Sequence, residues 1–306
     1  MTWALLATQL LNGLQLGVLL FLLSAGLTLV LGIMNFVNLA HGSLYMMGAY
    51  FAAALYGRTE SFLLAAIGAL AGTLALGATL ERLVISKLYQ RDHLDQVMAT
   101  SGLILVLNEV VRIVWGVSPM FIGLPEALRK TVTVMGFQYP AYRFLVIAVG
   151  LLMGAGLYLL IHRTVVGMLI RAGASNAPMV SALGVNIGRI NALVFAAGAG
   201  LAGVAGAMAA PIFSVQPGMG ESVLIQVLVV IVTGGVGSVR GAFYAALIVG
   251  VVDTIGRVLL PSLLGQLFES SVAQAAGPAL GSILIYLMMA VVLAVRPKGL
   301  FPVKHG

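Results

Sequence analysis

RTVVGMLIRAGASNAPMVSALGVNIG, residues 163–188, lies between two apolar runs, 142–161 and 190–213. Each run is long enough to cross a bilayer as a helix, which takes about 20 residues. The stretch between them must therefore face water. Arg163 and Arg171, with Arg189 just beyond, mark that side as cytoplasmic. Yet it carries Met168, Leu169, Ile170, Met179, Val180, Leu183 and Val185. A water-facing connection is usually polar, so this apolar surface is expected to be covered by a partner. The local chemistry predicts two short helices. Ser175 and Asn176 are good N-caps, Pro178 suits a first helical turn, and Gly184 suits a helix end. The expected pattern is a helix over 164–172, a turn, and a second helix over 177–183. A helix lying on the bilayer surface is the competing reading. Such helices are usually rich in Lys and Arg, and the second one here is not.

The rest of the chain has the composition of a membrane protein. It is 61% hydrophobic and 8% charged, with a mean hydropathy of +1.10. Soluble domains carry roughly 25% charged residues. Further spans are expected at 9–31, 39–57, 61–80, 94–116, 221–236, 240–260 and 279–295. Backbone groups in lipid must be paired internally, so the fold class is all-α. The expectation is a polytopic membrane helical bundle of about eight to nine transmembrane helices, the lower number applying if 221–238 is re-entrant. The alternating ten-residue pattern of an outer-membrane barrel is not seen. Residues 1–306 read as a single membrane-embedded domain with a cytoplasmic coupling loop at 163–188. The first run lacks a basic leader and is long, which suits a first membrane helix rather than a signal peptide.

Charge sets the orientation. The net charge of +7 is dispersed over loops, which fits positive-inside topology rather than nucleic-acid binding. With Arg82, Lys87, Arg91, Arg163, Arg171, Arg240, Arg296, Lys298 and Lys304 inside, the C-terminus is cytoplasmic. The segments 117–141, 214–220 and 261–278 are then external and hold six of the ten prolines, with Pro211 just before the second of them. Arg129 and Lys130 run against this pattern. There are no cysteines, so disulfides and thiolate metal sites are excluded.

Two interrupted apolar segments point to a pathway. Residues 27–50 echo 228–251, with His41-Gly42 matched to Arg240-Gly241 and Tyr45 to Tyr244. Such paired interruptions are the usual sequence pointer to a translocation route, although chance likeness between Gly- and Val-rich helices is a rival. Asn35, Asn38, His41 and Gly42 in the first segment, and Gly234, Gly235 and Gly237 in the second, are the candidate path residues. The alternative for the first segment is a cap at the cytoplasmic interface, with Asn38 as the N-cap of the second helix. Gly198, Ala202 and Gly206, and beside them Ala199, Gly203 and Ala207, form small-residue rows that let helices approach closely in lipid. Asp253 and Arg257, and Glu109 and Arg112, have the spacing of self-neutralising helical pairs. With no further membrane acids, ion coupling has little support. No G-x-x-x-x-G-K-[ST], H-E-x-x-H or G-x-S-x-G pattern occurs, so the chain is not itself a P-loop ATPase, and no cofactor is called for.

Several stretches resemble the LivH-type permease subunits of branched-chain amino acid ABC transporters. They are residues 12–50, LERLVISKLY at 80–89, ATSGLILVLNEVVRIVWG at 99–116, RAGASNAPMVSALGVNIGRI at 171–190, VTGGVGSVRGAFYAALIVG at 232–250 and RPKGLF at 296–301. The likeness is specific to the wider branched-chain/urea/amide permease group. It implies an inner-membrane importer without catalysis of its own. It also implies a second homologous permease chain, two cytoplasmic ATPase subunits and an external substrate-binding protein. Residues 171–185 match the family's cytoplasmic coupling loop, with Arg171, Ala172, Ala174, Ala182, Gly184 and Val185 at pattern positions. The docking residues expected are Met168, Ala174, Asn176, Met179 and Leu183, with Arg171 and Gly184 carried over by the resemblance. Urea or a short amide is the alternative cargo. A self-contained secondary transporter is the alternative class.

Overall fold

A computed structural model describes residues 3–134, 136–266 and 268–301. Among the described residues there are ten long helices. They are α1 (Trp3–Met34), α2 (His41–Thr59), α3 (Phe62–Leu83), α4 (His93–Trp115), α6 (Ala141–Arg163), α7 (Val165–Ala182), α8 (Ile187–Ala209), α9 (Met219–Gly234), α10 (Val239–Leu264) and α11 (Ser270–Val295). The described residues also form a 3-10 turn (Ile85–Leu88) and a single-turn helix, α5 (Glu126–Arg129). Each of the nine expected spans coincides with one long helix, and α7 is the predicted loop. Seven of these helices, among the described residues, are long and apolar enough to cross a membrane. The other two, α2 with 19 residues and α9 with 16, are flanked by breaks. Lys304, expected in a cytoplasmic tail, lies outside the described residues.

Two helices form the centre. Most of α1 from Gly13 to Val30 is buried, and so is α8 from Phe195 to Ala209 apart from Ala196 and Ala197. The helices around them approach through glycine, as the small-residue rows predict. A Cβ on Gly17 would stand 2.8 Å from the Ala246 carbonyl oxygen and the Leu247 Cα of α10. Gly198 of α8 faces Gly26 of α1, Gly203 faces Gly48 of α2 and Thr73 of α3, and Gly206 faces Tyr45. In lipid, apolar burial gives no net drive between helices, so close van der Waals approach supplies the cohesion. At the periphery the apolar side chains turn outward, as Leu94, Met98 and Ile113 do on α4 and Ile283, Leu287 and Val295 on α11. Such surfaces would be costly in water and are ordinary against acyl chains.

The loops divide into a basic end and a proline-rich end. At the proline-rich end, β1 (Thr131–Val134) pairs antiparallel with β2 (Phe137–Pro140), which an all-helical expectation does not contain. The β-branched run Thr131-Val132-Thr133-Val134 and the positive-φ Gly136 favour it locally. Tyr139 of β2 donates to Asn12 of α1 at 3.1 Å. Nearby, Met120 and Val215 exchange backbone hydrogen bonds of 2.8 and 2.9 Å, tying the loop after α4 to the loop before α9.

At the basic end the tail folds back. The amides of Leu300 and Phe301 donate to the carbonyls of Thr233 and Gly234 at 2.9 and 3.0 Å. These are among the last carbonyls of α9, which a helix leaves without intrahelical partners. Gly235 and Gly299, both at positive φ, allow the two backbones to touch.

Candidate functional site

The connection at 163–188 folds as its local chemistry predicts. Thr164 caps α7 by accepting from the Gly167 amide at 3.0 Å. The helix runs on to Asn176, whose φ of −155° and ψ of 85° break it. Asn176 then caps a second short helix, accepting from the Met179 amide at 3.0 Å. Pro178 sits inside that first turn, where its missing N–H costs nothing. Gly184 closes it at φ +85°. The first helix is therefore about a turn longer than the predicted 164–172.

Its apolar residues differ in burial, with Leu169 and Val185 half-buried between two extremes. Ile170 and Val180 are buried within this chain, which corrects the expectation that the whole apolar set awaits a partner. Met168, Met179 and Leu183 remain 53%, 62% and 77% exposed. Ala174, Asn176 and Gly184 are exposed beside them. Arg171 is anchored, donating through Nη1 to the Ile161 carbonyl at the end of α6. That contact fixes α7 to the end of a membrane helix.

The break between α1 and α2 is deeper than a surface cap. Nε2 of His41 lies 3.1 Å from the Leu23 carbonyl oxygen. A carbonyl only accepts, so the imidazole donates from Nε2. Leu23 is eleven residues before the end of α1 at Met34, roughly 16 Å of helix. Residues 35–40 thus return into the bundle before α2 starts. Asn35, at φ +48°, makes the reversal. The N-cap of α2 is Ala40, not Asn38, and no side chain caps it. Asn38 is instead 1% exposed, and neither of its amide atoms has a hydrogen-bond partner among the described residues. The returning strand is held by α4, since the Val37 amide donates to Gln96 Oε1 at 3.1 Å and the Leu39 amide to Thr100 Oγ1 at 3.3 Å. Sequence reasoning missed both residues. Their signal is two polar side chains four apart on one face of α4.

Helix α9 enters at a matching place. Gly42, at the start of α2, abuts Gly220, at the start of α9. Asn108 of α4 holds this junction, its Oδ1 accepting from the Gly218 amide at 2.9 Å while its Nδ2 donates to Glu221. Gly234, Gly235 and Gly237 lie elsewhere, in the turn from α9 to α10. There Gly234 packs on Gly241, Gly235 on the tail and Gly237 on Gly32. The candidate path residues are therefore divided: Asn38, His41 and Gly42 are buried within the bundle, while Asn35 is exposed at the end of α1, on the same basic end as Gly234, Gly235 and Gly237. Both breaks share a plan, a helix followed directly by a positive-φ residue, Asn35 after α1 and Gly235 after α9. The predicted side-chain pairs both form, Arg257 to Asp253 at 2.9 Å and Arg112 to Glu109 at 3.3 Å.

A chain of this kind, with long apolar helices, two that start inside the bundle and a helical elbow between two of the others, is a multi-pass membrane permease in architecture. It belongs to the family described as the permease component of branched-chain amino acid transport systems, whose model matches residues 9–293. It is 30% identical over 307 residues to the high-affinity branched-chain amino acid transport system permease protein BraD of Pseudomonas aeruginosa, covering 95% of this chain and 94% of the relative. It is 28% identical over 272 residues to the permease protein LivH of Escherichia coli, covering 82% and 86%. A probable LivH of Methanocaldococcus jannaschii is 24% identical over 292 residues, covering 92% and 88%. No solved structure matches the chain.

Proposed function

We propose that this chain is the transmembrane subunit of an ATP-driven importer for branched-chain amino acids in the inner membrane of a bacterial-type cell. Cargo arrives from an external binding protein. A second permease chain completes the membrane core, and two cytoplasmic ATPase subunits supply the energy. The basic end, with the C-terminus, faces the cytoplasm. The observation that carries this reading is the elbow of α7. It presents exposed Met168, Met179 and Leu183 at the basic end while Arg171 ties it to α6. A rigid apolar knob joined to a membrane helix can pass a partner's movement into the bundle. ATP enters through other chains, which bias the equilibrium between outward and inward access by their different affinity for the two states.

For the path, the returning strand and the start of α2 are the leading segment. The buried, unpartnered amide of Asn38 supports it, since an unmet buried amide costs about 1–3 kcal/mol and is retained where a polar surface is needed. Asn35, His41 and Gly42 belong with it. Gly234, Gly235 and Gly237 supply the hinge where α9 turns into α10.

The test is co-purification with the ATPases encoded beside this chain, comparing wild type with Leu183→Arg. Burying a leucine is worth about 1.5–3 kcal/mol, so its loss alone weakens docking roughly tenfold to a hundredfold. The bundle should stay intact because the side chain touches little of it. Wild type that is stable alone and binds no ATPase refutes the reading and leaves a self-contained transporter in its place. Uptake of urea rather than leucine by the reconstituted complex would reassign the cargo.

A further inference from the structure

Near the proline-rich end, α4 and the start of α9 share a cavity of about 570 Å³. Leu105 and Val106 form its apolar wall, and Asn108, Glu109, Arg112 and Glu221 its polar one. Leu105, Asn108 or Glu109, and Arg112 follow one another at three- and four-residue steps, so a single face of α4 presents them. Asn108 orients Glu221 by donating to Oε1, while Oε2 accepts no hydrogen bond from the described residues. Arg112 meets Glu109 at 3.3 Å, but their side chains remain 52% and 61% exposed. Two carboxylates and one guanidinium leave the cavity with a formal charge of −1.

A charged face of this kind is out of place against hydrocarbon. Ionisable side chains in a membrane helix face the bundle interior or a water-filled space, and they mark substrate routes. The three requirements of a free amino acid meet here. An ammonium group needs an oriented acid, a carboxylate needs a planar pair of donors, and a branched aliphatic side chain needs an apolar wall. We propose that this cavity is a subsite for the zwitterionic amino acid on its way into the bundle. Glu221 takes the ammonium group. Arg112 exchanges its loose contact with Glu109 for the substrate carboxylate. Leu105 and Val106 take the side chain. The assignment rests on the amino-acid importer reading above. It adds the place where the permease itself meets both charges of its cargo.

The chain has no cysteine, so a single introduced thiol reports on one position. The full complex is reconstituted in phospholipid vesicles with the loaded binding protein outside, and uptake of labelled leucine is measured. Glu221→Gln and Arg112→Gln are each expected to lower uptake at least tenfold at unchanged yield of assembled complex, with Glu221→Asp restoring much of it. In the assembled complex, Val106→Cys is expected to react with a membrane-impermeant thiol reagent. Wild type that carries leucine while both neutral variants stay within twofold of it overturns the subsite alone. Wild type that carries urea and no leucine overturns the importer reading first and the subsite with it. Should a neutral variant fail to assemble, the thiol decides. A Val106→Cys complex that does not react has this face covered by lipid or a partner chain, and the proposal falls.

Discussion

Gly26→Ala is the substitution that most directly examines the buried break between α1 and α2. A methyl group at this position would stand 2.6 Å from the Gly198 carbonyl oxygen and 3.0 Å from both Cε1 and Nε2 of His41. The first neighbour is the backbone of the central helix α8 and has no room to yield. The imidazole can swing, but its Nε2 then loses the Leu23 carbonyl, at a site where the residue is 1% exposed. Overpacking of this kind costs about 1–3 kcal/mol. A buried donor left without an acceptor costs about 1–3 kcal/mol more. Replacing a mid-helix glycine by alanine returns at most about 1 kcal/mol. The expected net loss is about 1–6 kcal/mol, a large share of a typical 5–15 kcal/mol. Gly156→Ala is the control, because a Cβ on that α6 glycine meets nothing within 4 Å. It should be neutral or slightly stabilising. Denaturant unfolding in detergent micelles, followed by the fluorescence of Trp115 where it packs on Tyr50, measures both. Equal midpoints for the two variants would refute the claimed depth of the break, because the argument requires contact at one site and open space at the other.

Asn176→Ala removes the cap that separates the two parts of α7 and should cost about 0.5–2 kcal/mol locally. We expect weaker ATPase recovery and faster amide exchange over 177–183, while the membrane helices keep their protection. Tyr89 lies between the 3-10 turn and α4 and donates to the buried Glu81 at 2.6 Å. Tyr89→Phe leaves that carboxylate without its donor, and a loss of about 1–3 kcal/mol at neutral pH is expected in thermal unfolding. The same phenol also predicts a pH effect. Burial first, and the neighbouring Glu81 second, push its pKa above the usual value of about 10. A group whose folded pKa is raised contributes its full stability below the unfolded value and loses it as pH climbs toward the folded one. Wild type should therefore lose stability above about pH 10 more steeply than Tyr89→Phe, a difference that denaturation at stepped alkaline pH can read.

Hydropathy and capping are local, and what depends on them was legible in the sequence. Nine apolar runs became nine helices. Asn176, Pro178 and Gly184 broke and closed the elbow because N-cap, first-turn and left-handed geometry involve only a few neighbouring residues. The rows through Gly198, Gly203 and Gly206 announced tight packing, since small residues are what permit it. The partners in that packing were a different matter. A helix such as α1 is apolar all round and carries no stripe to say which side faces which neighbour. Only the folded bundle could set the depth at which His41 meets Leu23. Only it could bury Ile170 and Val180 while leaving Leu183 outside, or bring Asn108 to Glu221 across 113 residues of chain. These relations come from contacts far apart in sequence, where composition and periodicity are nearly silent, and they decide where the polar groups of a membrane protein can do chemistry.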